Sequence, residues 1–574
     1  MQDLNTPLRG LLPNKVGALV ARRFARPDRW PAPVHDVAHA RDLSVRAADG
    51  VVLRTDVWSP RGVAEPDVLL VRSPYGRRGL VGWQFGRQLA GQGFRVVIQS
   101  CRGTDGSGGD FRRPFVSEVD DGAATVAWLR KQPWFPGRFA TVGSSYLGYT
   151  QLATAVSKPP ELAAMVLQFA PADLRSVVYP DGVLGVQTAL GWAEGANRDP
   201  RFTARNVVSM ARHGKERAGL VEQAARTAPL TTSYRIATGE AVPFFEDWLV
   251  HGPDSAWWDQ FDLRAALDTI EVPVLVQGGW YDVFSRDSLL QWETLRDRDV
   301  PVSLTMGAWT HGSIVASWSR LVTEAAQWLQ ATLDAAGSSP EPARRASLRL
   351  QAQPHGAWFS AESWPPPGMA TRTWWLGPER ALADEAPDDG TPVGDWTFDP
   401  ATPTPSIGGN YIGDGAGPTD NAALEARTDT LVLTTEPFET DAMVAGSAVV
   451  RVRTTASAAS FDVVARLCLV TGDGRSTNLV DGLTRVAAGP IGEARDVGVT
   501  LAPTFARVRA GERLRLVLAG GAHPRWLRHP GTCVEAAFAT ELQPVEISIS
   551  APSTLAVPLA TTDTGTVNPA EEAS

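Results

Sequence analysis

Residues 143–148, Gly-Ser-Ser-Tyr-Leu-Gly, constrain the fold of this chain more than any other short stretch. They follow a short apolar run at 139–142 and lead into a helix-like run at 149–156. A serine in a turn between a strand and a helix is held in a strained conformation that exposes its hydroxyl and frees the next backbone N–H. Ser145 is therefore a candidate nucleophile, although an ordinary alcohol is unreactive at neutral pH. A small-residue turn without chemistry explains this stretch equally well, so the choice depends on the rest of the chain.

The composition is that of a globular protein with more than one hydrophobic core. A chain of 574 residues exceeds what one core supports, so we expect roughly two to four domains. The hydrophobic share of 43% and the charged share of 20% are typical of soluble proteins. No apolar run reaches the roughly 18 residues needed to cross a bilayer, so we expect no integral membrane segment. A net charge of −9 argues against nucleic acid as a partner.

Cysteine use and an N-terminal extension, residues 1–40, bear on the cellular compartment. Cys101, Cys468 and Cys533 lie far apart in the chain and cannot all pair, which favours a reducing compartment. The extension is basic, but prolines interrupt its apolar segments, so it lacks the core of a signal peptide. We therefore expect a cytoplasmic protein. A helix at about 15–26 is expected to pack on the protein's own surface, with contact to an anionic membrane as the alternative.

Strands and helices alternate over residues 41–172 and again over 263–340. The strands, such as 68–71 and 94–99, are almost continuously apolar, and amphipathic stretches separate them. This pattern is typical of a parallel sheet covered by helices on both faces. The sequence therefore predicts an α/β core formed by these two segments.

The segments around this core have different patterns. Residues 173–262 lose the alternation and contain helix-like stretches, so we predict an inserted helical cap. Residues 341–560 combine Pro- and Gly-rich loops with short strands of period two, which predicts a jelly-roll β-sandwich. Residues 561–574 are small and polar and are predicted to be a disordered tail.

Two further residues follow strands of the predicted core. Asp282 comes after the strand at 272–277, and His311 comes after the strand at 302–306. Their order, serine then aspartate then histidine, with each at a strand end, is that of an α/β-hydrolase triad. His311 would take the Ser145 proton and pass it to the leaving group, while Asp282 would orient the imidazole. The structural alternatives are a helix cap for Asp282 and a buried, non-catalytic role for His311.

An acyl-transfer site also needs donors for the oxyanion of the tetrahedral intermediate. The backbone N–H of Tyr146, the residue after the nucleophile, is one candidate. The loop after the strand at 68–71 lacks the multiple glycines of a lipase-type loop, so the Tyr75 hydroxyl is the better second candidate. Taken alone, Tyr75 is better explained as a packing residue.

Several motifs together resemble those of the cocaine esterase and X-Pro dipeptidyl-peptidase family of serine hydrolases, over about residues 41–545. The motifs are Ser-Pro-Tyr-Gly at 73–76, Arg-Gly at 102–103 with Gly-Ser-Gly-Gly at 106–109, the turn at 143–148, Trp-Tyr-Asp at 280–282 and Trp-Thr-His at 309–311. The resemblance implies an α/β-hydrolase core with an inserted cap and a jelly roll. It also implies Ser145, Asp282 and His311 as the triad, with Tyr75 and the Tyr146 amide as oxyanion donors. Leu147 replaces the second glycine of the general G-x-S-x-G elbow, which the family permits. The chain departs from the family pattern at Ser100-Cys101, Val283 and Ala308, and none of these changes removes a catalytic group.

The substrate class is less constrained by the sequence. Tryptophans around the motifs favour a neutral ester or an aromatic acyl group, and Trp192, Trp280 and Trp309 are candidate pocket residues. We therefore predict carboxylic ester hydrolysis. An X-Pro dipeptidyl-peptidase or an α-amino-acid ester hydrolase is the alternative, and it needs carboxylates for the substrate's ammonium group. The cap offers three candidates that no spacing singles out: Asp181, Glu194 and Asp199.

Two other classes of function remain. The jelly roll could serve as a carbohydrate-binding module, or the chain could be a non-catalytic scaffold. We expect no cofactor and no metal, because the Cys and His spacings of metal sites are missing. The expected partner is a small-molecule ester or a short peptide substrate, and the sequence leaves a homo-oligomeric state open.

Overall fold

The computed structural model describes residues 32–201, 203–335, 347–561 and 568–569. The helix expected at about 15–26, the predicted domain boundary at 340 and most of the predicted disordered tail lie outside these ranges. No helix within the described ranges is both long and apolar enough to cross a membrane.

A mixed sheet carries the sequence motifs, and its central strands are buried on both faces. In chain order its strands are β1 (Val37–Arg46), β2 (Val52–Pro60), β3 (Val68–Ser73), β4 (Arg95–Ser100), β5 (Phe139–Ser144), β6 (Leu162–Gln168), β7 (Val274–Tyr281), β8 (Val302–Thr310), β9 (Ser347–Gln351) and β10 (Trp358–Ala361). In space the order is β1-β2-β4-β3-β5-β6-β7-β8-β9-β10, followed by a two-residue strand, Asn568–Pro569. The strands from β4 to β9 run parallel, while β1, β2 and β10 pair antiparallel with their neighbours. The carboxyl ends of β5, β7 and β8 therefore meet at one edge.

Two strands of this sheet lie beyond the predicted domain boundary at 340. Strand β9 pairs in parallel with β8, from Ser347 opposite Ser303 to Leu350 opposite Met306, and β10 pairs with β9. The predicted jelly roll, residues 341–560, wrongly included both strands, because in the structure they extend the core sheet. A short strand of period two looks the same whichever sheet it joins, and here it covers the β8 edge, which would otherwise be open.

Helices cover both faces of the sheet and form the inserted segment. The first part of the core contains α1 (Gly79–Val81), a π-helical turn (Gly82–Arg87), α2 (Gln88–Gly91), α3 (Glu118–Leu129) and α4 (Tyr146–Ala155). The insertion contains α5 (Leu174–Val178), α6 (Val186–Arg198), α7 (Ala204–Arg226), α8 (Leu230–Ser233), α9 (Arg235–Thr238) and α10 (Pro243–Val250), with 3-10 turns at Pro180–Gly182 and Ala256–Phe261. The second part of the core contains α11 (Arg264–Leu267), α12 (Ser285–Asp297), α13 (Ser313–Ala316) and α14 (Trp318–Ala335).

The C-terminal part is a sandwich of two antiparallel sheets around its own apolar core. Its strands are β11 (Ala370–Leu376), β12 (Leu382–Ala383), β13 (Pro392–Phe398), β14 (Thr430–Thr434), β15 (Ala442–Gly446), β16 (Val449–Ala456), β17 (Phe461–Val470), β18 (Ser476–Val486), β19 (Arg495–Thr500), β20 (Thr504–Val508), β21 (Arg513–Ala519) and β22 (Val545–Thr561). One sheet is built on the long strand β22, which pairs with β11, β13, β15 and β16. The other has the order β14-β21-β17-β18. A 3-10 turn at Pro378–Arg380 and the short helix α15 (Ala422–Glu425) complete this part.

The sandwich packs directly against the α/β core. Trp280 at the end of β7 is 2% exposed, and its ring lies 5.3 Å from Trp364 and 6.3 Å from Phe505 of β20. The Tyr281 hydroxyl donates to the backbone oxygen of Asn478 in β18 (3.0 Å). The strand that precedes Asp282 is therefore held by the sandwich as well as by its own sheet.

Helix α4 is buried along its whole length, and it approaches the end of β6 closely. A Cβ atom at Gly148 would lie 2.2 Å from the Ala170 Cβ, closer than atoms can approach. We predict that Gly148→Ala lowers the free energy of unfolding by about 1–3 kcal/mol, because the helix must move away from the sheet. Chemical denaturation measures the change.

The matched control is Gly219→Ala in α7, where a Cβ would meet no atom within 4 Å. Removing an exposed helical glycine should stabilise the protein by up to about 1 kcal/mol. A stabilising effect of Gly148→Ala would contradict the close packing of α4.

Candidate active site

Ser145 lies between β5 and α4 in a conformation that few non-glycine residues adopt. Its φ is 60° and its ψ is −124°. The Ser145 N–H donates to the backbone oxygens of Gln168 (2.9 Å) and Phe169 (3.1 Å) at the end of β6, which holds the turn in place. A Cβ at Gly143 would lie 2.6 Å from the Leu147 Cβ, so the turn needs a glycine there. The sequence thus builds a strained turn that presents the serine side chain at the sheet edge.

The structure brings together Ser145, Asp282 and His311, the three residues that the sequence predicted as a triad. The Ser145 hydroxyl donates to His311 Nε2 (3.1 Å), and the His311 Nδ1–H donates to Asp282 Oδ2 (2.7 Å). Asp282 is fully buried, while the His311 side chain is 15% exposed. This arrangement can move the serine proton to the imidazole and stabilise the imidazolium that forms.

Asp282 also supports the turn that leads into α12. Its Oδ1 accepts from the backbone N–H of Phe284 (2.7 Å), while Oδ2 is directed to His311. The capping role considered for Asp282 and the triad role are therefore compatible, because each uses a different oxygen atom.

Two donors lie beside Ser145 in the positions expected for an oxyanion site. The Tyr75 hydroxyl is hydrogen-bonded to the Ser145 side chain and accepts from Trp192 Nε1 (3.4 Å). Burial raises the pKa of the Tyr75 phenol, so it stays protonated and able to donate. The second donor is the backbone N–H of Tyr146, the first residue of α4, because the first N–H groups of a helix have no intrahelical acceptor.

Buried polar contacts fix the Tyr146 side chain. Its hydroxyl donates to Glu118 Oε1 (2.9 Å) and accepts from the Phe115 N–H (2.9 Å). The other Glu118 oxygen pairs with Arg72 at the end of β3 (2.8 Å). The first turn of α4 is thereby tied to β3 and α3.

A small apolar cavity of about 40 Å³, partly open to solvent, adjoins Ser145. Its wall is aromatic and aliphatic and includes Phe115, Trp192, Phe284 and Ile412. The residues of this wall include no acidic side chain. The cavity therefore suits an uncharged, apolar group.

Trp192 lies in the cavity wall as predicted, but the prediction for Trp280 and Trp309 was wrong. Trp280 points to the sandwich interface, and its Nε1 donates to the backbone oxygen of Gln351 (2.9 Å). Trp309 packs against Trp358 at 5.8 Å between ring centres. The β7–β8 register shifts beside both residues, and such a bulge turns side chains away from the face that simple alternation predicts.

Phe284, Phe115 and Ile412 are among the cavity-wall residues that were not predicted from the sequence. The Phe284 ring lies 5.3 Å from the His311 ring. Because Phe284 follows Asp282 by only two positions, its place in the sequence could have indicated that it lies beside the triad. Phe115 has a φ of 72° in an irregular loop, and Ile412 belongs to a glycine-rich loop of the sandwich. No local pattern in the sequence assigns those two to the site.

Asp287 in the first turn of α12 is a buried carboxyl close to the triad. It accepts from the Ala172 N–H (3.0 Å), which holds the loop after β6. Burial raises the pKa of Asp287 to about 7, and the nearby carboxylates of Asp173 and Asp282 add to this effect. The group is therefore protonated in weakly acidic solution and ionises near neutrality.

Because the pKa of Asp287 is higher in the folded than in the unfolded state, protonation of this carboxyl stabilises the folded protein. The stabilisation is complete below the unfolded pKa of about 3.9, and it is lost as the pH rises through the folded pKa. Asp287→Asn removes this titration and keeps an acceptor for the Ala172 N–H. We predict that the stability of the variant relative to wild type increases between about pH 4 and 7, the window set by these two pKa values. Urea denaturation across this range measures it, and the exposed Asp297→Asn on the same helix is the control. Parallel stability curves for wild type and Asp287→Asn would contradict the assignment.

Comparisons with known proteins agree with this geometry. Residues 49–313 match the X-Pro dipeptidyl-peptidase (S15 family) model, and residues 339–567 match the X-Pro dipeptidyl-peptidase C-terminal non-catalytic domain. Cocaine esterase from Rhodococcus sp. (strain MB1 Bresler) is 29% identical over 539 residues, which cover 86% of this chain and 92% of that protein.

Solved structures show the same fold. An aminopeptidase from the marine sediment archaeon Thaumarchaeota archaeon has a TM-score of 0.76 at 20% identity and covers 92% of this chain and 98% of its own. An α-amino acid ester hydrolase has a TM-score of 0.75 at 17% identity, and the match covers 92% of this chain and 97% of that chain. The predicted fold class, an α/β-hydrolase core with a helical cap and a C-terminal jelly roll, is confirmed. The chain belongs to the cocaine esterase and X-Pro dipeptidyl-peptidase family of serine hydrolases.

Proposed function

We propose that this protein hydrolyses carboxylic esters through an acyl-enzyme intermediate on Ser145. His311 removes the hydroxyl proton as Ser145 Oγ attacks the ester carbonyl, and Asp282 stabilises the resulting imidazolium. The imidazolium then protonates the leaving alcohol as the tetrahedral intermediate collapses. Water, deprotonated by His311, releases the carboxylic acid and restores the serine.

The oxyanion of each tetrahedral intermediate is assigned to the Tyr75 hydroxyl and the Tyr146 N–H. Both groups adjoin the serine side chain before any substrate binds, so little reorganisation is needed as charge develops. Loss of one such donor in other serine hydrolases lowers kcat by about 10²–10³-fold.

The apolar cavity next to Ser145 is the observation that favours a neutral ester. A substrate with a free α-ammonium group would need an uncompensated carboxylate near the serine, because an unpaired buried charge is costly. The wall of the cavity offers none. The name of the cocaine esterase relative, which describes an ester substrate of that protein, agrees with this choice.

The cap carboxylates that could have bound an ammonium group are already paired. Asp181 contacts Arg286 (2.6 Å), Asp199 contacts Arg201 (2.7 Å), and Glu194 contacts Arg198 one turn away in α6. None of these carboxylates lines the cavity. The X-Pro dipeptidyl-peptidase alternative, which the names of the family models favour, therefore lacks an evident ammonium site among the described residues.

We further propose a cytoplasmic location. Cys101, Cys468 and Cys533 are free thiols, and Cys533 is exposed, as expected for a reducing compartment.

Ser145→Ala tests the proposed nucleophile, and the neighbouring Ser144→Ala is the matched control. We expect kcat/KM for an aryl ester to fall by at least about 10³-fold in Ser145→Ala, because the covalent step is lost, and to change little in Ser144→Ala. Labelling by a fluorophosphonate should disappear only in Ser145→Ala. Full activity or labelling in Ser145→Ala would contradict the mechanism, and an X-Pro anilide turned over faster than aryl esters would favour the peptidase alternative.

Trp192→Phe and Trp280→Phe compare a tryptophan in the cavity wall with one at the domain interface. We expect Trp192→Phe to lower the kcat/KM ratio of a benzoyl over an acetyl ester several-fold, about 1 kcal/mol of lost contact. Trp280→Phe should leave this ratio unchanged and lower the free energy of unfolding by about 1–3 kcal/mol. Ester kinetics and urea denaturation on both variants measure the two effects. Equal selectivity changes in both variants would contradict the assigned cavity wall.

A further inference from the structure

We propose that Arg77 is a positioning residue that holds the Tyr75 hydroxyl at the oxyanion site. The inference rests on the proposed function, because it assigns a role within the same site. A cluster of charged side chains surrounds the buried Arg77 guanidinium next to the loop that follows β3.

The Arg77 guanidinium is held by hydrogen bonds to several separate elements. Its Nε donates to Asp56 Oδ1 in β2 (2.9 Å), and its Nη1 donates to Ser100 Oγ in β4 (3.1 Å) and Asp105 Oδ2 (3.1 Å). Further bonds reach the Asp105 backbone oxygen and the Asp42 carboxylate in β1. The Arg77 side chain is 4% exposed and that of Asp56 is 0% exposed.

These contacts fix the backbone on both sides of Tyr75. The Tyr75 N–H donates to Ser73 Oγ (3.0 Å) on one side, and the Arg77 N–H donates to Asp105 Oδ2 (3.3 Å) on the other. Between them Gly76 has a φ of +91°, where a side chain would be strained. The loop carrying Tyr75 is therefore restrained by its own hydrogen bonds and by the guanidinium behind it.

A side-chain oxyanion donor makes this restraint necessary. Tyr75 reaches Ser145 with a long side chain, so a small shift of its backbone is carried to the hydroxyl. A useful donor must lie within about 2.7–3.1 Å of the developing oxyanion. A misplacement of about 1 Å can cost about 10²-fold in rate.

The energetic cost of the cluster also points to a positioning role. Buried ion pairs are often no more stabilising than apolar residues of similar size, because both charges lose their hydration. Arg77 and Asp56 are both buried, so this pair carries that desolvation cost. The guanidinium adds hydrogen bonds of fixed geometry. Its N–H donors hold β2, β4 and the loop of Asp105 in one arrangement around the Tyr75 loop.

The same cluster connects the oxyanion loop to the cap. Arg201, at the end of the segment after α6, lies with its Nη1 3.8 Å from Asp105 Oδ1. Asp105 thus contacts Arg77 through one oxygen and approaches a cap arginine through the other. The β1–β2 hairpin lies at the sheet edge away from Ser145. It contributes Asp42 and Asp56, and through their contacts with Arg77 it helps to hold the Tyr75 loop.

A double-mutant cycle between Arg77 and Tyr75 tests the proposal on the full-length protein. Arg77→Lys keeps the charge but cannot bridge Asp56, Ser100 and Asp105 together. We expect it to lower kcat for an aryl ester about 10-fold with little change in KM, and Tyr75→Phe to lower kcat about 10²-fold. In the Tyr75→Phe background, Arg77→Lys should have less than about a twofold further effect, because the group it positions is gone.

A second readout and a control separate positioning from folding. Binding of an arylboronic acid, which forms a tetrahedral adduct on the serine, should weaken in Arg77→Lys by the same factor as kcat falls. The exposed pair Arg130–Glu161 provides the control Arg130→Lys, expected to change neither quantity. If Arg77→Lys does not fold, Ser100→Ala removes one of the guanidinium's acceptors and should show the same dependence on Tyr75 with a smaller effect.

The outcomes also distinguish this proposal from the proposed function. Equal losses caused by Arg77→Lys in the wild-type and Tyr75→Phe backgrounds, or an unchanged kcat, would overturn the positioning role. If Ser145→Ala is inactive while the Arg77 and Tyr75 effects multiply, the ester hydrolase mechanism stands and only this inference fails. If Ser145→Ala stays active, the proposed function itself fails.

Discussion

The hydrogen bond between His311 and Ser145 is the contact on which the geometry of this site depends. It joins residues that are far apart in the chain, and it forms because β5 and β8 end at the same edge of a parallel sheet. Strand β7, which lies next to β8, delivers Asp282 to the other ring nitrogen of His311, Nδ1. The sandwich restrains the end of β7, and hydrogen bonds of the Ser145 N–H restrain the turn after β5. Reacting groups must be held to a fraction of an ångström for efficient catalysis.

Buried charges surround this site, while the cavity itself is apolar. Arg72 with Glu118 supports the first turn of α4, and the Arg77 cluster supports the loop of Tyr75. One guanidinium lies in β3 and the other in the loop after it. Each is hydrogen-bonded to elements that are not paired directly with β5, the strand that leads into the catalytic turn. The charged groups therefore hold the backbone around the site in place. The wall of the neighbouring pocket offers a substrate only apolar contacts and a few hydroxyls.

The triad and the fold class could be predicted because their signals are local. Ser145, Asp282 and His311 each follow an apolar strand, and parallel strands bring such positions to one edge. The errors and omissions come from long-range contacts. The partner of β9 depends on which sheet edge is open, the direction of Trp280 depends on a shift in strand register, and Ile412 reaches the cavity from another domain. The acidic partners of Arg77 are spread over three separate segments, so no spacing in the sequence reveals them.

We propose that an oxyanion formed on Ser145 lies between the Tyr75 hydroxyl and the Tyr146 N–H. A crystal structure of the protein after reaction with an aryl phosphonate tests it directly, since the tetrahedral phosphorus mimics the intermediate. We expect phosphorus bonded to Ser145 Oγ, with one oxygen within about 2.7–3.1 Å of both donors. Phosphorus on another residue, or an oxygen directed away from both donors, would contradict it.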